Sequence, residues 1–224
     1  MWLHVDGSYG GVAAVVPEMR HVLAGVELAD SLVVNPHKWL FTPIDLSAMF
    51  TRRPDVLKRA FTLVPEYLVT REQSDVVNLM DYGVQLGRRF RALKLWMVIR
   101  AFGAHGLAAR LRQQMAMAQE FAGWVDEEPD WERVAPVPFS LVCFRYAPAG
   151  MSEVDRDAMN AAILERVNAS GSAYLSHTKL DGRFVLRLAI GNMRTEPRHV
   201  ANAWRLLRDM SLSARGATAT RDLL

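Results

Sequence analysis

Apolar positions along the chain change period several times, and each change marks an element. Trp2-Leu-His-Val-Asp6 alternates with a period of two, which sends Trp2, His4 and Asp6 to one face of a strand and Leu3 and Val5 to the other. Gly7-Ser-Tyr-Gly-Gly11 closes that strand with a turn, because glycine tolerates the positive φ that turns need. Short helical pieces over 12–28, one of them opening near Pro17, lead to Leu32-Val-Val34, an apolar run that reads as a buried strand. Asn35 and Pro36 stop it, since proline supplies no ladder donor. Leu46-Ser-Ala-Met-Phe-Thr51 is a further short strand, and 55–60 forms a turn of helix. Residues 62–81 show no period and are broken by Pro65 and a polar run. A loop of that length inside a compact domain marks a functional or mobile segment.

The second half follows other rhythms. Positions 86–102 read as a long helix whose Leu95-Trp-Met-Val-Ile99 segment is apolar all round, so burial is expected there. Gly103 and Gly106 are expected to break it. A second helix then runs from 107 to about 125, with Leu107, Leu111, Met115, Ala118 and Ala122 at three-four spacing, and Asp126-Glu-Glu-Pro-Asp130 ends it. Positions 139–146 form a strand apolar on both faces. Ser152 with Asp155 starts a helix in the manner of a capping box, and this helix ends at Ser170-Gly171. Strands at 173–178 and 183–190 are joined by a hairpin across Asp181-Gly182. Thr195 caps a last helix that turns Val200, Ala203, Trp204 and Leu207 inward, and the tail beyond Ser213 frays. Strand, helix, hairpin, helix is a small α+β domain. A boundary near residue 94 divides the chain into 1–94 and 95–224, and no internal repeat appears.

Composition narrows the classes. Half of the 224 residues are hydrophobic and 23% are charged, as in soluble globular proteins. Charges or proline interrupt every apolar run before it reaches membrane-spanning length, and the start lacks a secretory signal. Cys143 is the single cysteine, which excludes an internal disulfide and makes a reducing, cytoplasmic setting the default. The net charge of +3 is small, and the brief basic run Arg88-Arg-Phe-Arg91 reads as a solvated or dimer-facing helix surface rather than a nucleic-acid site.

Chemistry enters at two strand ends. Asp6 closes one strand, and Lys38 lies just past the end of another, between the rings of His37 and Trp39. An isolated His-Lys pair is most often an ordinary loop feature, but an apolar, aromatic setting favours a neutral, nucleophilic amine. Ligands of α/β sheets bind beyond the carboxyl ends of strands. A lysine to hold an aldehyde and an acid to keep a pyridine nitrogen protonated suit pyridoxal 5'-phosphate. Trp39 is expected to pack behind the lysine, and His4 to be hydrogen-bonded inside the core. His105, His177 and His199 lack ligand spacing, so no metal is assigned.

Three stretches, Trp2-Leu-His-Val-Asp-Gly-Ser-Tyr-Gly10, Gly25-Val-Glu-Leu-Ala-Asp-Ser31 and Asn35-Pro-His-Lys-Trp39, closely resemble the aromatic-L-amino-acid decarboxylases. These are group II pyridoxal-phosphate decarboxylases of the aspartate-aminotransferase fold, fold type I. The likeness continues through Asp45-Leu-Ser-Ala-Met49, Pro65-Glu-Tyr-Leu68, Leu86-Gly-Arg-Arg-Phe-Arg-Ala-Leu-Lys94, Leu141-Val-Cys-Phe-Arg145 and Phe184-Val-Leu-Arg-Leu-Ala189. The resemblance implies an α/β architecture made of the C-terminal part of a large cofactor-binding domain, 1–94, and a small α+β domain, 95–224. It makes Lys38 the lysine that holds the cofactor and Asp6 the partner of its pyridinium nitrogen. Ser8 matches a small residue beside the ring, where the family commonly has alanine. Asn35 and His37 match residues lining the cofactor and phosphate side. Tyr67 matches the tyrosine of a mobile loop that protonates the substrate α-carbon.

The implied reaction converts an aromatic L-amino acid to its amine and CO2, in a homodimer with no nucleic-acid or membrane partner. Trp39 after the lysine resembles the aromatic branch more than the glutamate or sulfinoalanine branches. The family's ring-stacking histidine, phosphate cup and much of the substrate pocket precede His-Val-Asp, so the expectation is a C-terminal portion of a larger enzyme. A related carboxy-lyase, an aldehyde synthase, or a catalytically silent chain that acts by pairing with a complete subunit stand as alternatives. Tyr67, where an aldehyde synthase would have Phe, argues for plain decarboxylation.

Overall fold

Strand β1 (His4–Asp6) pairs in parallel with β2 (Ser31–Val34), Asp6 opposite Val33, and β3 (Ala48–Thr51) adds antiparallel to β2. A parallel pair needs a crossover. Here it is built from 3-10 helices, Gly10–Val15, Pro17–Leu23 and Val26–Leu28, in keeping with the short helical pieces expected. Val12, Ala13 and Val16 are buried in that crossover. Gly11 allows it to lie tight on the sheet: a Cβ there would stand 3.1 Å from Cγ2 of Val34.

The chain, seen in a computed structural model that describes residues 1–62 and 76–221, forms two compact units, Met1–Ala108 and Ala109–Leu224. The first continues through helix α1 (Pro36–Trp39), α2 (Pro54–Phe61) and a 3-10 turn at Leu79–Tyr82. Lys58 of α2 lies over the Tyr82 ring at 5.5 Å, a cation–π contact that brings these two elements together.

Helix α3 (Ala92–Glu127) corrects two expectations, its start and the burial of its apolar segment. It begins at Ala92, not near 86, so the Arg88–Arg91 run precedes it in non-helical backbone. Gly103 interrupts the helix as expected, taking φ 63° and ψ 172°, outside the helical region and open to glycine without strain, so two helical stretches meet there at a kink. Burial of its apolar start also fails. Leu93, Trp96, Met97 and Ile99 are exposed, because no described residue covers that face. The two units divide at Ala108, later in this helix than residue 94.

The second unit holds a fully antiparallel sheet in the order β4-β5-β7-β6, formed by Trp131–Arg133, Leu141–Tyr146, Arg183–Ala189 and Ser176–Leu180 respectively. The hairpin turns at Asp181 (φ 50°) and Gly182 (φ 80°), both left-handed as a two-residue turn between twisted strands requires. Helix α4 (Glu153–Ala169) starts on the expected cap, the Asp155 amide donating to Ser152 Oγ at 3.2 Å. Helix α5 (Pro197–Arg221) buries Val200, Ala203, Trp204 and Leu207 as its spacing required. Phe121 meets Phe144 and Trp204 edge-on, at centroid distances of 5.0 and 5.5 Å, and Trp131 approaches Trp204 at 5.2 Å. Such edge-to-face pairs add to area burial. Arg145 of β5 is fully buried and reaches Glu153 at 2.9 Å and Asp157 at 3.4 Å.

Candidate active site

The last residue of β1 is Asp6, and Lys38 is the third residue of α1, directly after β2. Because β1 and β2 run parallel, both functional groups rise from the same carboxyl edge. Their turns are tied together: the Gly7 amide donates to the Val33 carbonyl at 2.9 Å, and the Asn35 amide to the Ser8 carbonyl at 3.1 Å. Gly7 permits this approach, since a Cβ would lie 3.1 Å from the Val33 carbonyl oxygen.

Ser8 governs the charge of Asp6. Its hydroxyl donates to Asp6 Oδ1 in a short contact, and its amide donates to the same oxygen at 2.9 Å. These two bonds, followed by the nearby charges of Lys38 and His4, hold the Asp6 carboxyl below its ordinary range. The acid is therefore ionised at neutral pH and ready to hold a cationic N–H.

Lys38 departs from expectation. Its side chain is exposed, not enclosed in apolar surroundings. The adjacent Trp39 takes the interior instead: it is fully buried and stacks flat on Tyr9, 4.9 Å away at 8°. Trp39 thus packs behind the lysine as anticipated and turns the amine outward. His4 also departs, being exposed rather than internal, with Nδ1 2.7 Å from Ser31 Oγ.

Asn35 and His37 flank the lysine turn, and the segment before β3 grips both. Ser47 Oγ donates to Asn35 Oδ1 at 2.5 Å, and the Leu46 amide donates to His37 Nδ1 at 3.0 Å. The Leu46 carbonyl oxygen crowds the same ring nitrogen, so the tautomer decides between the two contacts. Tyr67 lies outside the described residues. Asp45, Arg89 and Arg91 were missed as a group by the sequence reading: Asp45 accepts from Arg89 Nη2 at 2.6 Å and from Arg91 Nε at 3.1 Å. The repeated arginines were the available signal, but nothing local pointed to a partner so far back in the chain. Among the described residues no cluster of three His, Cys, Asp or Glu side chains is arranged to hold a metal, and no helix is long and apolar enough to cross a membrane.

Residues 1–147 match the family described as the pyridoxal-dependent decarboxylase conserved domain. The chain is 43% identical over 212 residues to a tryptophan decarboxylase of Camptotheca acuminata, covering 93% of this chain and 43% of that protein. The crystal structure of Oryza sativa TDC with PLP and tryptamine superposes with a TM-score of 0.88 at 41% identity, over 95% of this chain and 44% of that one. The structure of Rhodiola rosea 4-hydroxyphenylacetaldehyde synthase gives 0.84 at 38% identity, over 95% and 43%. The chain thus spans less than half the length of these relatives.

Proposed function

The chain belongs to the pyridoxal-dependent decarboxylase family and has its fold type I architecture, and from that premise we propose that it serves the decarboxylation of an aromatic L-amino acid to the amine and CO2. The observation that carries this reading is the pairing of an ionised Asp6 with the Lys38 amine on one edge of the β1–β2 pair. Similarity to tryptophan decarboxylases supports an aromatic substrate.

The residues present fit pyridoxal phosphate. An exposed primary amine suits its aldehyde, and a carboxylate kept ionised by two donors from Ser8 suits its ring nitrogen. When bound, the cofactor supplies an electron-withdrawing ring that accepts the electron pair left behind by departing CO2. Lys38 Nζ would hold the cofactor through its aldehyde, with loss of water. Asp6 Oδ holds the proton on the ring nitrogen, and Ser8 keeps Asp6 from taking that proton itself. Asn35 and His37 line the cofactor and its phosphate side. The Tyr67 hydroxyl delivers the proton to the substrate α-carbon, across the interface of a cytoplasmic homodimer. The exposed apolar start of α3 supports a partner surface, and Tyr67 supports plain decarboxylation over aldehyde synthesis.

The test is to add pyridoxal phosphate to the purified chain, trap the adduct with tritiated borohydride and map the label. Label on Lys38, lost in Lys38→Ala, together with amine formed from L-tryptophan, is the expected result. Label elsewhere refutes the assignment of Lys38. Labelling of Lys38 without turnover points instead to the silent chain that acts only with a complete subunit.

A further inference from the structure

Asp45 has no part in the assignments above, yet two arginines hold it. Arg89 Nη2 lies 2.6 Å from Oδ1, while Arg91 sets Nε 3.1 Å and Nη2 3.0 Å from Oδ2. Both Arg91 contacts converge on Oδ2 while Arg89 takes Oδ1, so the two guanidinium groups together hold both oxygens of the carboxylate. The two arginines come from one tight turn, closed by the Arg91 amide donating to the Arg89 carbonyl at 2.8 Å. They differ in weight. Arg89 is 74% exposed and its contact is the kind that contributes little, whereas Arg91 is 24% exposed and less screened. Arg91 is also the leading cause that holds the Asp45 carboxyl at about 2, so the contact stays charged throughout the neutral range.

The backbone leaving Asp45 does the next thing at once. Leu46, nearly fully buried, gives its amide to the His37 ring, and Ser47 gives its hydroxyl to Asn35. Two consecutive residues beyond the clamped carboxylate therefore hold the two side chains that stand one and three residues before Lys38. A shift of 45–47 moves both contacts together.

We propose that Asp45 is a positioning residue of the lysine turn: clamped by Arg91 and Arg89, it fixes Leu46 and Ser47 so that His37 and Asn35 are presented in a single geometry. The proposal rests on the reading that these two side chains line the cofactor site.

The experiment uses Asp45→Asn in the full chain with two independent measurements. One is the 15N-edited spectrum of the His37 ring without cofactor; the other is the rate of reductive labelling of Lys38 by pyridoxal phosphate. The expected result is that the His37 signals move or broaden while the far-ultraviolet circular dichroism stays unchanged. Labelling slows about tenfold, the lower end of what loss of a supporting residue costs, and Asp45→Glu recovers at least half of the rate. Arg91→Lys keeps the charge but loses the two-point contact. It reproduces these changes more strongly than Arg89→Lys does, and it carries the test if Asp45→Asn does not fold. His37 signals left unchanged by both Asp45→Asn and Arg91→Lys overturn the clamp. Absence of label on Lys38 in the unaltered chain sinks the functional reading alone, because the His37 signals still decide the role of Asp45.

Discussion

At Asp6 the chemistry turns on a neighbour two residues away. The Ser8 hydroxyl is the first cause of the lowered Asp6 carboxyl. A carboxyl lowered in the folded state contributes stability above the ordinary carboxylate range and loses it as pH falls through the lowered value. Asp6 therefore produces no inflection near neutrality. In Ser8→Ala the amide bond persists and the hydroxyl bond goes, so the Asp6 carboxyl rises toward its ordinary value. A 13C titration of the side-chain carboxyl checks the direction. The placement of Asp6 and Lys38 at the ends of strands was legible because a strand end and its stop are local signals. The outward turn of Lys38 was not, since exposure depends on where Trp39 packs. Nor was the Asp45 clamp, whose partners lie 44 and 46 residues on.

At the scale of elements, what was legible carried its own punctuation. The stop at Asn35-Pro36, the cap at Ser152 and the Asp181-Gly182 turn each act within four residues. β4 was missed because Trp131–Arg133 is too short to show a period and is defined by pairing with β5, Trp131 opposite Tyr146. The break at Gly103 was legible for a local reason too, since glycine alone takes its φ of 63° without strain. The fastening of α4 to β5 gives the sharpest test. Asn160 is fully buried: its Oδ1 accepts from the Tyr146 amide, and its Nδ2 donates to the carbonyls of Tyr146 and Arg156, all at 2.8 Å. Asn160→Leu keeps the branching and the number of heavy atoms but strips those bonds from buried backbone. It should cost about 1–3 kcal/mol in urea unfolding, and a loss below about 0.5 kcal/mol would show the clasp to be dispensable.

For the whole molecule, the two units differ in how fully they close over their own apolar surface. The core of the second gathers side chains from α3, β4, β5, β7, α4 and α5 into one continuous cluster. In the first, Leu3, Met49, Phe50, Trp96 and Met97 remain exposed. Residues 109–224 produced alone are therefore expected to keep a single cooperative urea transition, monitored by circular dichroism. A gradual, non-cooperative loss of signal would show that this core depends on the rest of the chain.

The six tryptophans fall three to each unit: Trp2, Trp39 and Trp96 in the first, Trp124, Trp131 and Trp204 in the second. Trp131 and Trp204 are buried, with rings crossed at 63° and 5.2 Å between centroids, close enough for their excited states to couple. Trp96 is 58% exposed and meets solvent directly. The second unit consequently carries an optical signature of its own, a near-ultraviolet exciton band from Trp131 and Trp204, while Trp96, the most exposed of the six, contributes most to the red edge of the fluorescence. Trp96→Phe removes most of the red edge and leaves the exciton band. The molecule can then be watched unit by unit as it melts, without any label being attached.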